Sequence, residues 1–381
     1  MKLPIYLDNA ATTPVDPRVV EAMLPYLSEH FGNPASGTHV FGRAARRAVE
    51  QARAEVAALL NADPAGIVFT SGATESNNLA LKGAAAANAE RGRHLLTLST
   101  EHKAVIDTMH ELERRGFDVT FLAPGKSGLV DPEKFRAALR PDTIAASVML
   151  VNNEIGVIQD IAALGALCRE RGIVFHVDAA QATGKLEIDL AALPVDLMSL
   201  TAHKTYGPKG IGALYVRRGV KIEEQMHGGR HEHGIRSGTL ATHQIAGIGA
   251  AFRIAREEMA GEVPRMRHLR DRLWAGLRDI PELTLNGDMT KRVANNLNFT
   301  LALPGSEAVL SALTDIAISS TAACDSGSVS HVLSALDPEN ARAGAALRIT
   351  VGRFNTRQEI DYTVQHLRDK IEDCRAGRLA A

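Results

Sequence analysis

The stretch HLLTLSTEHKAVIDTMHELERRGFDVTFLA, residues 94–123, decides the fold class. HLLTLS (94–99) is a short apolar run of strand length. KAVIDTMHELERRG follows, and Val105, Met109 and Leu112 fall on one face at helical spacing. DVTFLA is apolar again and strand-like. One strand–helix–strand unit is thus written into thirty consecutive residues.

The same alternation runs outward on both sides. GIVFT (66–70) reads as a buried strand and ESNNLALKGAAAANAERG as the helix after it. DPEKFRAALR reads as a helix with an Asp N-cap and Pro in its first turn. TIAASVML is a strand, DIAALGALCRERG a helix and IVFHV a strand, and VDLMSLTA and GIGALYVRR are two more strands. Apolar strands alternating with helices predict an α/β layer with a mostly parallel sheet. The last third differs. A long helical region fills roughly 241–278, and VANNLNFTLA, a helix from about Glu307, ALRITV and a final helix follow. In that helix Ile360, Val364, Leu367 and Ile371 repeat at helical spacing. This reads as a smaller α/β domain, with the boundary near 255.

Composition excludes several classes. The chain has 381 residues, 45% of them hydrophobic and 23% charged, which is ordinary for a globular protein. A formal net charge of −1 gives no basic footprint for nucleic acid. No apolar run reaches the roughly 18 residues that a spanning helix needs, and the N-terminus has no signal core. A cytoplasmic protein without membrane or nucleic-acid partners is expected. The three cysteines, Cys168, Cys324 and Cys374, are too sparse for a disulfide framework, and without a C-x-x-C pair they predict no zinc knuckle. Cys168 sits in a helical pattern and reads as core, and Cys374 lies near the end of the last helix. Cys324 alone stands in a polar Ser/Gly-rich run, ISSTAACDSGSVSHV (318–332).

Four motifs follow apolar strands. Asp178 ends IVFHVD, with Gln181 three residues on, at the strand edge where α/β sheets bind ligands. Lys204 follows Thr201 and His203 at the end of another strand, and a lysine desolvated in a pocket can condense with an aldehyde. Lys185 and Lys209 compete for that role, the latter in a GPKG turn. Ser71-Gly72 turns into a helix near Thr74, and backbone N–H groups at a helix start suit a phosphate. His102 follows a strand and precedes a helix. A carboxylate, an amine, a phosphate cradle and an imidazole on one sheet edge fit pyridoxal 5′-phosphate, whose aldehyde needs a lysine and whose pyridine nitrogen needs a carboxylate.

These residues sit in longer phrases. YLDNAATTPVDPRV, FGNPAS, FTSGATESNNLALKG, TEHKAV, VNNEIGVIQD, FHVDAAQATGK, DLMSLTAHKTYGPKGIGALYVRR, GIRSGTL and LRITVGRF occur in that order across the chain. The chain resembles the NifS/IscS-type cysteine desulfurases, in the class V aminotransferase branch of fold-type I pyridoxal-phosphate enzymes. The resemblance implies a large cofactor-binding domain over residues 16–255 with a mostly parallel seven-stranded sheet. It implies a small domain from residues 1–15 and 256–381 that carries the Cys324 loop.

It also implies roles. Lys204 holds the cofactor, Asp178 pairs with its ring nitrogen, Gln181 bonds its ring hydroxyl, and His102 stacks on the ring and assists proton transfer. Ala73, Thr74, Thr201 and His203 hold the phosphate, Asn153 lies near the cofactor, and Thr239 reaches the partner subunit's site in a homodimer. Arg348 binds the carboxylate of L-cysteine, with Asn33 nearby, because its planar fork donates two parallel bonds. Cys324 takes the sulfur as a persulfide and passes it to an acceptor such as an iron–sulfur scaffold. No resident metal is implied, beyond transient contact of Cys324 with iron–sulfur chemistry, and two histidines at 231 and 233 are too few for a metal site. The chain departs from the family pattern at Thr321, Ala322 and Asp325 around Cys324, and at Arg230 and His233. Asp325 would tend to raise the Cys324 thiol's pKa, since a like charge disfavours thiolate. A selenocysteine lyase, another class V aminotransferase or lyase, and a non-catalytic sulfur-relay protein are the alternatives.

Overall fold

The computed structural model describes residues 2–320, 329–342 and 344–379. Its largest element is a seven-stranded sheet of β1 (Ile67–Thr70), β2 (His94–Leu98), β3 (Asp118–Leu122), β4 (Thr143–Met149), β5 (Val174–Asp178), β6 (Leu197–Thr201) and β7 (Gly212–Val216), ordered β1-β7-β6-β5-β4-β2-β3. Neighbours from β3 through β2, β4 and β5 to β6 pair in parallel. β7 runs antiparallel between β6 and β1. The sheet is thus mostly parallel, as the alternation predicts.

Burial explains why these strands are legible. Every residue of β1, β2, β4, β6 and β7 is buried, whereas the edge strand β3 is part-exposed. Helices cover both faces of a parallel sheet, so its strands read as continuous apolar runs. The unit quoted first folds as β2, the Lys103–Arg114 helix and β3, with Val105, Met109 and Leu112 in one apolar cluster. The helix at Pro132–Ala138 has Asp131 as its cap, accepting from the Glu133 N–H. Cys168 is fully buried in the main core, where desolvation pushes its thiol up to about 12.

A second core gathers the chain's two ends. Ile5–Tyr6 pairs in parallel with Ile316–Ala317. A four-stranded antiparallel sheet follows: β8 (Leu283–Leu285), β9 (Asn296–Leu301), β10 (Ser319–Ser320) and β11 (Ala345–Thr350), in the order β10-β11-β9-β8. The Arg357–Arg375 helix packs Ile360, Leu367 and Ile371 onto it. Val364, placed on that face by spacing, is only partly buried, and Thr363 is buried instead. The Thr242–Ala275 helix belongs to both cores. Its Ile245, Ile248 and Phe252 enter the first, its Met266, Leu269 and Leu273 the second. No helix among the described residues is long and apolar enough to cross a membrane.

Candidate active site

The carboxyl ends of β1, β2, β4, β5 and β6 share one sheet edge, and a cavity of about 530 Å³ opens there. Ala73, Thr74, His102, Asn153, Asp178, Gln181, Thr201, His203 and Lys204 all line it. That edge is where open α/β sheets bind ligands, because loops diverge there.

Asp178 is the last residue of β5 and is 3% exposed. Its Oδ2 accepts from Asn77 Nδ2 at 2.8 Å and its Oδ1 from the Ala180 N–H at 2.9 Å. Two donors hold the carboxylate still. Lys204 lies three residues past β6, and its Nζ donates no hydrogen bond within the described residues. Burial lowers its pKa, the Asp178 charge opposes that, and Arg348 adds to the lowering. A desolvated amine without a fixed partner is free to react at its nitrogen.

The helix Ala73–Asn88 starts at Gly72, whose φ of 150° is open to glycine. No side chain caps this start. A Cβ on Gly212 would lie 2.6 Å from Gly72 Cα, so the bare Gly212 lets β7 and the turn approach closely. The uncapped N–H groups of the first turn face the cavity edge beside Thr201 and His203, and this arrangement suits an anion. Burial first, then Lys204, lowers the His203 pKa to about 4, so its ring is neutral. Its Nδ1 meets Thr12 Oγ1 at 3.2 Å.

His102 caps the Lys103–Arg114 helix. Its Nδ1 accepts from the Ala104 N–H at 3.1 Å. Burial is the main cause lowering its pKa. Gln181 is tied by its Nε2 to the Ala10 carbonyl at 2.8 Å, which brings the N-terminal segment onto the cavity.

Arg348 stands one residue behind the lining. Its Nη1 donates to the Asn153 carbonyl at 2.9 Å and its Nη2 to Asp8 Oδ1 and Ser319 Oγ, each at 2.9 Å. Asn33 and Thr239 lie outside this cavity and are exposed, and the Asn33 Oδ1 accepts from the Ala35 N–H. Cys324, with Thr321, Ala322 and Asp325, lies outside the described residues. Of the competing lysines, Lys209 lines the cavity mouth although its turn reads as structural, and Lys185 does not line it.

Sequence reasoning missed Asn77, Thr12 and Ala11, which also line the cavity. Asn77 stands one helical turn after Ala73, so the helix assignment itself could have placed it on the cavity face. Thr12 and Ala11 come from the distant N-terminus, and no local pattern marks them.

Pyridoxal 5′-phosphate fits these residues. Asn77 Oδ1 and Asn153 Oδ1 are buried without hydrogen-bond partners, and both residues line the cavity. An unbonded amine, a fixed carboxylate, an uncapped helix start and two orphaned acceptors match an aldehyde, a ring nitrogen, a phosphate and neighbouring donors.

The sequence matches the Aminotransferase class-V family over residues 5–363. A curated relative, "Cysteine desulfurase IscS" of Methylobacillus flagellatus, is 62% identical over 376 residues, covering 97% of this chain and 93% of that protein. A solved structure described as "NIFS-LIKE PROTEIN" superposes with a TM-score of 0.90 at 36% identity, covering 97% of this chain and 100% of that one. Another, "SspA in complex with cysteine", gives 0.82 at 37% identity over 92% of this chain and 100% of that one.

Proposed function

We infer that the chain, which belongs to the aminotransferase class-V family, is a cysteine desulfurase that converts L-cysteine to L-alanine and hands on the sulfur. The observation that carries this reading is the desolvated Lys204 amine lining one cavity with Asp178, at a site whose relatives are cysteine desulfurases.

Bound pyridoxal 5′-phosphate supplies an aldehyde that takes up the substrate amine and a pyridine ring that withdraws electrons from its Cα. The protein's own groups do the rest. Lys204 holds the cofactor and, as a neutral amine, takes the Cα proton at its Nζ and returns it. Asp178, fixed by Asn77 and Ala180, keeps the ring nitrogen protonated. The Ala73–Thr74 helix start, Thr201 and His203 hold the phosphate, and Gln181 and Asn153 orient the ring. His102 stacks on the ring and moves protons from Nε2, since Nδ1 is engaged by Ala104. Arg348 binds the substrate carboxylate with its guanidinium fork.

Cys324 is the sulfur acceptor in this reading. Its thiolate attacks the substrate sulfur. An S–S bond forms, the substrate C–S bond breaks, and the electron pair goes to carbon, which is protonated to give alanine. The persulfide then passes to an acceptor such as an iron–sulfur scaffold. Sparse cysteines suit a reducing cytoplasm, to which the reaction is assigned.

A homodimer completes the site. Leu24, Leu27, Phe31, Val40 and Phe41 are exposed in the segment of sequence that holds Asn33, and the Phe31 and Phe41 rings stack at 5.5 Å. An apolar patch of this kind marks an interface. A second copy there would bring its Asn33 and Thr239 toward the cofactor.

The test is alanine and sulfide release from L-cysteine with a thiol reductant, for wild type and Cys324→Ala. Equal release by the wild type and loss in the variant are expected. Full activity in the variant would exclude Cys324 as acceptor and turn the reading toward a selenocysteine lyase or another class V enzyme.

A further inference from the structure

Lys185 is a buried cation that the mechanism above does not use. It closes the turn that begins at Gln181, where its N–H bonds to the Ala182 carbonyl at 3.0 Å. Gly184 has φ 70°, and a Cβ there would lie 3.0 Å from Thr205 Cγ2. The Lys185 residue is 6% exposed. Its Nζ donates to the backbone carbonyl of Lys204 at 3.0 Å. Beside that bond Thr183 Oγ1 and Thr205 Oγ1 meet at 2.6 Å, and Thr205 Oγ1 also donates to the Thr183 carbonyl at 3.2 Å. Residues 183–185 are thus stitched to 204–205 by side chains.

Two arginines packed near the site are neutralised. Arg348 pairs with Asp8, and Arg353 pairs with Asp16 and Glu262. Lys185 forms no ion pair among the described residues. Burying an ammonium without a counter-ion is costly, and an apolar side chain of similar length would fill the same space without that cost. The bond to the Lys204 carbonyl is the contact that an apolar residue could not make.

We propose that Lys185 is a positioning residue for the reaction: it fixes the main chain from which the Lys204 amine reaches the cofactor, and its positive charge disfavours a second ammonium at Lys204. The proposal rests on the reading of Lys204 as the cofactor lysine. Burial and the nearby Lys204 bring the Lys185 pKa down to about 7, so its charge varies around neutral pH.

The experiment compares wild type, Lys185→Met and Lys185→Arg, each loaded with pyridoxal 5′-phosphate. Three quantities are read: the pH midpoint of the visible cofactor band, kcat and KM for L-cysteine, and the melting temperature. Removing a neighbouring positive charge favours protonation, so the midpoint in Lys185→Met should rise by about half a unit or more. Its kcat should fall about tenfold with KM changed less than about threefold, because positioning acts on the chemical step. Lys185→Arg, which keeps a cation and a donor, should restore the midpoint and much of kcat. A wild-type midpoint and kcat in Lys185→Met overturn the proposal. Equal losses in Met and Arg variants, tracking only the melting temperature, also overturn it. Should Lys185→Met not fold, Lys185→Gln, an uncharged donor, must still shift the midpoint, and an unshifted midpoint there refutes the charge. Wild type whose Lys204 is labelled by borohydride but which releases no alanine would refute the desulfurase reading while leaving the midpoint comparison intact.

Discussion

Removal of the Lys204 amine tests the site at its smallest scale. Lys204 lines the cavity, and its Nζ makes no hydrogen bond among the described residues, so nothing in the described fold leans on it. Lys204→Ala should therefore fold normally, lose the visible cofactor band and release no alanine, with a melting curve close to that of the wild-type apoprotein. A retained band would show that another lysine carries the cofactor. Glu101 gives a second residue-scale test. It is fully buried, Oε1 accepts from the Met149 N–H at 2.9 Å, and Oε2 has no partner. Burial raises its pKa well above the carboxylate range, the Met149 N–H opposes this, and the Asp178 charge raises it further. With its folded pKa above its unfolded one, the folded state holds the extra proton. Its contribution to stability is full below the ordinary carboxylate pKa and is lost as pH rises through the folded value. Each unit of separation is worth about 1.4 kcal/mol. Glu101→Gln cannot ionise, so as pH rises from the ordinary carboxylate range the wild type should lose melting temperature relative to the variant. Parallel melting curves would rule out a buried neutral carboxyl.

At the scale of elements, the segment from Gly228 to Gly234 carries three non-glycine residues in the left-handed region, Arg230 (φ 54°), Glu232 (φ 48°) and His233 (φ 58°). Such backbone persists only where its surroundings hold it. Here Glu232 does the holding. Its carboxylate accepts from Arg53 Nη1 and Nη2, each at 2.8 Å, and from the Phe69 N–H at 2.7 Å, tying the segment to β1. Arg53→Met strands that carboxylate in the interior and should cost roughly 3–5 kcal/mol. Chemical denaturation would measure this, and a loss below about 1 kcal/mol would mean that the pair is not what anchors the segment. Thr239 follows this segment, so cofactor affinity should weaken as well. This anchor was not legible in the sequence, because the departures at Arg230 and His233 say nothing of which side chain turns inward between them. The parallel strands were legible, since full burial leaves them as apolar runs. The direction of β7 was not, since an antiparallel strand buried on both faces reads the same. Asp178, Lys204, His102 and Thr74 could be placed because each stands at a strand end or just after one. Thr12 could not, since its place depends on a distant segment meeting the site through His203, and for Asn77 the helix gives the face but not the pairing with Asp178.

At the scale of the whole molecule, two predicted site residues lie exposed outside the cavity, whereas Arg348 is buried just behind it. Asn33 and Thr239 are both exposed, and the segment of sequence that holds Asn33 also exposes Leu24, Leu27, Phe31, Val40 and Phe41. The proposed homodimer explains both facts at once: the apolar patch is covered and the two polar residues reach the partner's cofactor. Gel filtration should show a dimer, and Phe31→Asp combined with Phe41→Asp should shift it toward monomer, since each charge would be buried at the interface. A sharper test uses complementation. Lys204→Ala alone leaves a subunit with an intact Thr239 and no cofactor lysine. Thr239→Ala alone leaves the lysine but weakens the phosphate site, by about tenfold in affinity for one charge-assisted hydrogen bond. If Thr239 serves the neighbouring site, a hybrid of the two variants has one site with both residues, Lys204 from one subunit and Thr239 from the other. Mixing and exchanging the subunits should then restore tight cofactor binding and alanine release to a fraction of the sites. If Thr239 serves its own chain, no site in the hybrid has both residues, and exchange would give no recovery over the separate variants. Absence of recovery in demonstrably mixed dimers would therefore assign Thr239 to its own subunit and remove the main reason for requiring two.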